Sequence, residues 1–248
     1  MQDKVEECAR LIKKSGFIVV LTGAGISTNA GIPDFRGPEG IYTTRKYDPQ
    51  KTFDINYFLY DAKPFFDFAR DFVKNLKKIN PTFTHYFLAE LEKQGKVQGI
   101  ITQNIDALHQ KAGSKKVIEL HGSFWKSYCL KCGKEFSYEQ MQKKIFKEEV
   151  PKCICGGTIK PDIVFFGEKV KLLDKAQKLA YESDLFFIIG SSLAVYPAAI
   201  LPELVNGKII VVNRGEVNIS SGKVNLFCNE NADDFFKEVS KFLMSSSH

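Results

Sequence analysis

Four of the six cysteines form two close pairs, Cys129-x2-Cys132 and, twenty residues on, Cys153-x-Cys155. Thiolates two or three residues apart can converge on one ion from a tight turn, and four of them complete the closed tetrahedral shell of a structural Zn²⁺. Gly133, Gly156 and Gly157 supply tight backbone after each pair. Four thiolates leave no open coordination position, which argues against catalytic zinc; a redox pair is the competing chemistry. Cys8 lies on the apolar face of a helical pattern and Cys228 follows the strand-like "KVNLF", so both read as buried, inert thiols.

A second set of residues points to a nucleotide. The stretch "FIVVLTGAGISTNAGIPDFRG" (17–37) runs an apolar strand into Gly23-Ala24-Gly25, where backbone amides can approach a pyrophosphate at a helix N-terminus. The third glycine of the dinucleotide fingerprint is missing: Thr28 stands in its place and the next glycine is Gly31. Pro33, Asp34, Phe35 and Arg36 follow, an aromatic and a cation where a dehydrogenase would continue its helix. Other apolar runs end in "TQNID" with Gln103, Asn104 and Asp106, in His121-Gly122, in Gly190-Ser191-Ser192, and in Asn213. Each is weak alone. Asn104 and Asp106 could be helix caps, and His121 could be a hydrogen-bonded core imidazole. Polar groups at five strand ends together point to a ligand, because ligands collect at the carboxyl ends of parallel strands. His85 and His109 fall within helical patterns and read as structural; His248 is the last residue.

The elements that must position these groups alternate. Strand patterns occur at 17–23, 97–104, 116–122, 184–192 and 208–215, and helical patterns at 84–95, 105–113, 172–183 and 231–244. Val5, Cys8, Leu11 and Ile12 predict a further amphipathic helix at the N-terminus. Apolar strands alternating with helices predict a Rossmann-like, doubly wound parallel α/β sheet covered on both faces. Two excursions break the alternation: residues 38–82, aromatic-rich and mostly helical, and residues 126–158, which hold the paired cysteines. They predict a smaller zinc-ribbon and helical lobe inserted into an α/β lobe made of 1–37, 83–125 and 159–248.

Composition is that of a globular protein, 44% hydrophobic and 26% charged over 248 residues. No apolar run approaches the roughly 18–20 residues of a membrane helix. The first residues carry no secretory h-region, so the expected location is cytoplasmic, with no membrane partner. The net charge of +6 is spread over scattered lysines, and no specific nucleic acid is expected.

Read together, "GAGIS" (23–27), "GIPDFRG" (31–37), "TQNIDALHQKAG" (102–113), "ELHGS" (119–123), the paired cysteines, "KPDIVFFGE" (160–168), "GSSLAVYPAA" (190–199) and "VVN" (211–213) resemble the sirtuin family of NAD-dependent protein deacylases, in its bacterial type. The stretches stand in the family's order and span almost the whole chain. The resemblance implies one catalytic domain over 1–248, acting as a monomer, with NAD as co-substrate and structural zinc. It implies a cofactor site of Gly23, Ala24, Gly25, Thr28, Asp34, Phe35, Arg36, Gln103, Asn104, Ile105, Asp106, His121, Gly190, Ser191, Ser192, Asn213 and Ala232. Phe35 would cover the ribose, Arg36 would lie near the phosphates or ribose, and Asn104 and Asp106 would grip the nicotinamide carboxamide.

The implied reaction converts acetyl-lysine protein and NAD to lysine, nicotinamide and O-acetyl-ADP-ribose. The acetyl oxygen attacks C1′ of the ribose, nicotinamide leaves, and His121 serves as general base so that the 2′-oxygen can take the acyl group. An imidazole with an ordinary pKa near ~6.5 suits that task. The substrate would add as an extended strand along Val164, Phe166, Gly167 and Glu168 on one side and around Val195 on the other. An apolar tunnel of Phe35, Val164 and Phe166 would take the acyl-lysine stem, with one of Phe165 and Phe166 serving only as core. Lys160-Pro161-Asp162 replaces the family's commoner Arg-Pro-Asn or Arg-Pro-His. The Tyr-x-x-Arg pair of desuccinylating relatives falls on Ala69 and Phe72, which implies acetyl or longer uncharged acyl groups. Mono-ADP-ribosyl transfer from the same NAD site is the alternative activity.

Overall fold

The computed structural model describes residues 1–34, 37, 40, 43–76 and 78–245; Phe35 and Arg36 lie outside the described residues. The strands are β1 (Ile18–Thr22), β2 (Val97–Thr102), β3 (Val117–Glu119), β4 (Gly122–Cys129), β5 (Glu135–Ser137), β6 (Ile159–Ile163), β7 (Leu185–Ile189), β8 (Lys208–Val212) and β9 (Leu226–Cys228). The α-helices are α1 (Gln2–Lys14), α2 (Pro49–Phe53), α3 (Ile55–Tyr60), α4 (Lys63–Leu76), α5 (Phe83–Lys93), α6 (Leu108–Lys111), α7 (Tyr138–Lys147), α8 (Leu173–Glu182) and α9 (Ala232–Ser245). None of them is long and apolar enough to cross a membrane. The chain divides into two compact units.

The first unit comprises Met1–Ile32, Asn80–Leu120 and Leu172–His248. Its six strands are parallel, in the order β3-β2-β1-β7-β8-β9. Every residue of β1 and β7 is buried, which is why both strands read as unbroken apolar runs. Alternate side chains enter different cores. Ile18 and Val20 join Val5, Cys8 and Ile12 of α1, Leu88 of α5 and Phe235, Phe236 and Val239 of α9. Val19 and Leu21 join Ala176 and Ala180 of α8 and Leu201. The expected doubly wound sheet is therefore present. Each fully buried Val, Leu, Ile or Phe side chain contributes about 1.5–3 kcal/mol.

Two local expectations change. The helical pattern at 105–113 forms only the short α6, because Asp106 turns its carboxylate to the Leu108 N–H (2.9 Å) and Ala107 takes φ +56°. The turn after β1 becomes two 3₁₀ turns, Ala24–Ile26 and Thr28–Ala30, and no α-helix begins there. Cys228 ends β9, fully buried.

The second unit comprises Pro33–Ile79 and His121–Lys171. It holds a small antiparallel sheet, β5-β4-β6, and the aromatic-rich helices. Asp48 caps α2 by accepting the Gln50 and Lys51 N–H groups, and Asp54 caps α3 through Tyr57 N–H. Phe65 on α4 centres an aromatic cluster, with its ring 5.5 Å from Phe58, 5.2 Å from Phe66 and 4.9 Å from Phe165. Phe72 stacks on Phe124 at 5.2 Å. Arg70 of α4 donates to the carbonyls of Ile145, Glu148 and Glu149, satisfying the open end of α7.

Candidate active site and metal centre

In the first unit, strand order reverses at β1 and β7, the position where open parallel sheets bind nucleotides. The two loops leaving these strands touch through backbone. Gly23 N–H donates to Ile189 C=O (3.0 Å) and Gly25 N–H to Gly190 C=O (2.9 Å). A Cβ on Gly25 would lie 2.7 Å from Gly190 Cα, and one on Gly190, where φ is +61°, would lie 2.4 Å from Ile26 N. Side chains are excluded here because the backbones themselves are in contact.

Polar side chains gather on this junction. Asn104 Nδ2 donates to Gly23 C=O (3.1 Å) and to Ser27 Oγ (3.3 Å). Ser27 Oγ donates in turn to the Asp106 carboxylate at 2.7 Å. Asp106 is buried, which raises its pKa, while the Leu108 N–H and Ser27 hydroxyl pull it back down. Gln103 Nε2 donates to Ser191 Oγ (2.9 Å). Thr28 is exposed and donates from Oγ1 to Gly25 C=O (3.1 Å); Ala24 and Ile105 are half-buried. Ser192 C=O accepts from Asn218 N–H, and Asn213 Nδ2 donates to Arg214 C=O (2.9 Å). Ala232 opens α9, whose first N–H groups at Asp233 and Asp234 donate to Asn231 Oδ1. Val195 is half-buried, and its C=O accepts from Ala199 N–H.

Ser27 is absent from the expected site, yet it joins Asn104 to Asp106. The signal was its place inside "GAGIS". Under the same strand ends, Thr22 Oγ1 donates to Thr102 Oγ1 (2.9 Å) and lies 3.0 Å from His109 Nε2. His85 and His109 are both buried with ring centroids 4.7 Å apart, as structural histidines. Burial holds the pKa of His85 down to about 4.

In the second unit, His121 precedes β4 and is half-buried. Its carbonyl accepts from Val164 N–H (2.9 Å). Gly122 follows with φ +68°, and a Cβ there would lie 1.9 Å from Asp162 C=O. The His-Gly pair is therefore a backbone device: the glycine lets β4 start against the end of β6, which fixes the backbone of His121. Asp34 accepts from Gly37 N–H at 2.7 Å. Phe165 is buried against Phe58 and Phe65, whereas Phe166 is 46% exposed, so Phe165 is the core member of the pair. Both backbone polar groups of Phe166 are taken, by Phe53 C=O and Ile55 N–H. The Glu168 carboxylate turns inward to Lys160 and Phe165 N–H. Ala69 is buried and Phe72 stacks on Phe68 and Phe124.

The sulfur atoms of Cys129, Cys132, Cys153 and Cys155 lie within 4.8 Å of one another, with Cys129–Cys155 at 3.4 Å and Cys132–Cys153 at 3.8 Å. Tetrahedral ligands about 2.3 Å from zinc stand roughly 3.8 Å apart, so the donor set fits that ion. Among the described residues this is the one such cluster of His, Cys, Asp and Glu donors.

Comparison with known proteins gives the family. The profile of the Sir2 family matches residues 23–197. An NAD-dependent protein deacetylase of Saccharolobus solfataricus is 48% identical over 220 residues, covering 87% of this chain and 88% of the relative. Among solved structures, a Sir2 variant described with deacetylated p53 peptide and 3′-O-acetyl ADP ribose superposes with a TM-score of 0.90 at 41% identity, covering 96% of this chain and 98% of that one. A Sir2–p53 peptide–NAD+ structure gives a TM-score of 0.87 at 40% identity, covering 98% of both chains. The chain belongs to the Sir2 family.

Proposed function

We infer that this protein is an NAD-dependent protein-lysine deacetylase, converting acetyl-lysine protein and NAD to lysine, nicotinamide and O-acetyl-ADP-ribose. One observation carries the reading beyond family membership: Asn104 and Asp106 are both tied to Ser27 of the turn after β1. An amide and a buried carboxyl side by side suit a carboxamide, which offers a carbonyl acceptor and an NH2 group with two donors. Mono-ADP-ribosyl transfer is not favoured, because the relatives carry deacetylase names.

NAD, when bound, supplies a ribose C1′ that accepts the acetyl oxygen and a nicotinamide that departs. In this reading the glycine junction with Ala24, Gln103, Ser191 and Ser192 takes the phosphates and ribose. Asn213 and Ala232 take the adenosine end, Asn104, Ile105 and Asp106 orient the nicotinamide, and Thr28, Asp34, Phe35 and Arg36 complete the cofactor set. His121 accepts the proton of a ribose hydroxyl, which frees that oxygen to attack the acyl carbon. The acyl-peptide pairs along Val164–Glu168 and near Val195. Val164 and the exposed Phe166 present apolar surface to the acyl stem, which supports a preference for uncharged acyl groups. The four thiolates hold zinc as a clamp on the second unit, and their need to stay reduced supports a cytoplasmic setting.

Mass spectrometry of an acetyl-lysine peptide incubated with NAD tests the assignment. The wild type should yield free lysine and O-acetyl-ADP-ribose, and His121→Ala should lower turnover by on the order of 10²–10⁴-fold. A wild-type reaction that leaves acetylated peptides intact while ADP-ribose accumulates on protein would overturn it.

A further inference from the structure

We propose that Lys160 is a positioning residue for deacetylation: its ammonium fixes the Val164–Glu168 segment, and Glu168 acts through Lys160 and not by touching substrate. The proposal rests on the assignment of that segment to the acyl-peptide.

Lys160 sits in β6 and is only 7% exposed. Its Nζ donates to Ile163 C=O (2.6 Å) and to Glu168 Oε2 (2.9 Å). The same Oε2 accepts from Phe165 N–H at 2.8 Å, and the ammonium stands 4.2 Å above the Phe165 ring. Glu168 N–H closes the turn on Phe165 C=O at 3.0 Å. One cation therefore ties the end of β6, the segment's aromatic anchor and its last residue to a single point. A compact ammonium with three donors suits this, with two hydrogen bonds and one contact to a π face. Burial lowers the pKa of Lys160, and the Glu168 carboxylate opposes that shift.

The neighbouring charges belong to a separate pair. Lys171 bonds the Asp162 carboxylate and donates to Asp162 C=O at 3.2 Å. Lys160 and Asp162 are two of the residues at which the sequence departs from the family's commoner pattern, and each has a partner of opposite charge further along the chain, Glu168 and Lys171. Oε2 of Glu168 is engaged by Lys160 and by Phe165 N–H, and the N–H groups of Val164, Phe166 and Glu168 are bonded within the unit, so the segment is held from its own side before any peptide is laid on it.

Steady-state kinetics of Lys160→Met, Glu168→Gln and the double variant, with NAD and acetyl-peptide varied separately, decide the matter. Each single change should raise the peptide KM by about 10- to 100-fold, the scale of a misplaced binding element, with KM for NAD held near the wild-type value. Because the two residues act as one unit, the double variant should be no worse than the poorer single one. Losses that multiply in the double variant would mean that Glu168 meets substrate independently, and an unchanged peptide KM in Lys160→Met would also overturn the proposal. If Lys160→Met loses its zinc or its fold, Lys160→Arg and Glu168→Gln carry the test: the proposal requires a raised peptide KM in Glu168→Gln and a smaller rise in Lys160→Arg, and an unchanged peptide KM in Glu168→Gln refutes it. Absence of peptide-dependent nicotinamide release in the wild type would instead strike the deacetylase assignment itself.

Discussion

The two units solve the same problem with different means. In the first, function hangs on backbone: β1 and β7 are buried throughout, and their loops meet at Gly23, Gly25 and Gly190 with no room for a Cβ. In the second, side chains do the holding, through four sulfurs, a phenylalanine cluster and the Lys160 ammonium. The lesson is one of scale. The first unit packs two apolar cores on a six-stranded sheet, whereas the second, with three strands, adds large aromatic rings and a four-thiolate site of the kind that staples small cores.

The contrast can be broken by experiment, most severely at the thiols. Cys132→Ser, or removal of zinc with a chelator, should unfold the second unit, because binding energy at a structural site is folding energy. Hydrogen exchange should then show β4 and β6 amides unprotected while β1 and β7 stay slow; equal loss in both units would erase the distinction. Phe65→Ala should cost about 3–5 kcal/mol in denaturant unfolding, with its early exchange again confined to the second unit.

Acid should single out the first unit. The pKa of His85 is held to about 4 in the folded protein, chiefly by burial and against the pull of Asp233, and that of buried His109 is also lowered. An unfolded histidine takes its proton near pH 6.5. The folded state resists until about pH 4, so stability is full above roughly pH 6.5 and declines as pH falls toward 4, by about 3 kcal/mol for His85. A urea-midpoint series across this window checks it, and His85→Gln should flatten the slope. Gly190→Ala should cost more than the about 1–3 kcal/mol of a left-handed non-glycine backbone, because its Cβ would meet Ile26 N at 2.4 Å. It should also weaken NAD binding measured by calorimetry, while peptide KM at saturating NAD stays put.

Much of this was legible in the chain. The cysteine pairs declare a metal site because their spacing is local, and a two-residue loop can fold only so many ways. The apolar runs of β1 and β7 declare a sheet covered on both faces, since only strands buried on both sides dispense with alternation. The turn after β1 was less legible: its glycines suggested the start of a helix, and the contact with Gly190 forms two 3₁₀ turns instead. The pattern at 105–113 misled for a similar reason, since Asp106 is drawn to Ser27, 79 positions away.

Residue type and spacing thus determined on their own which groups the protein sets side by side: two pairs of thiols, an amide and a carboxylate two residues apart after one strand, and one imidazole ahead of a glycine. Tertiary structure alone decided which groups are engaged. It gave Phe165 to the core and Phe166 to the surface, recruited Ser27, and turned Glu168 inward to Lys160. The physical reason is that a side chain's partners depend on strand order and on loops that meet across long stretches of chain, and a local pattern of residues does not encode those distances.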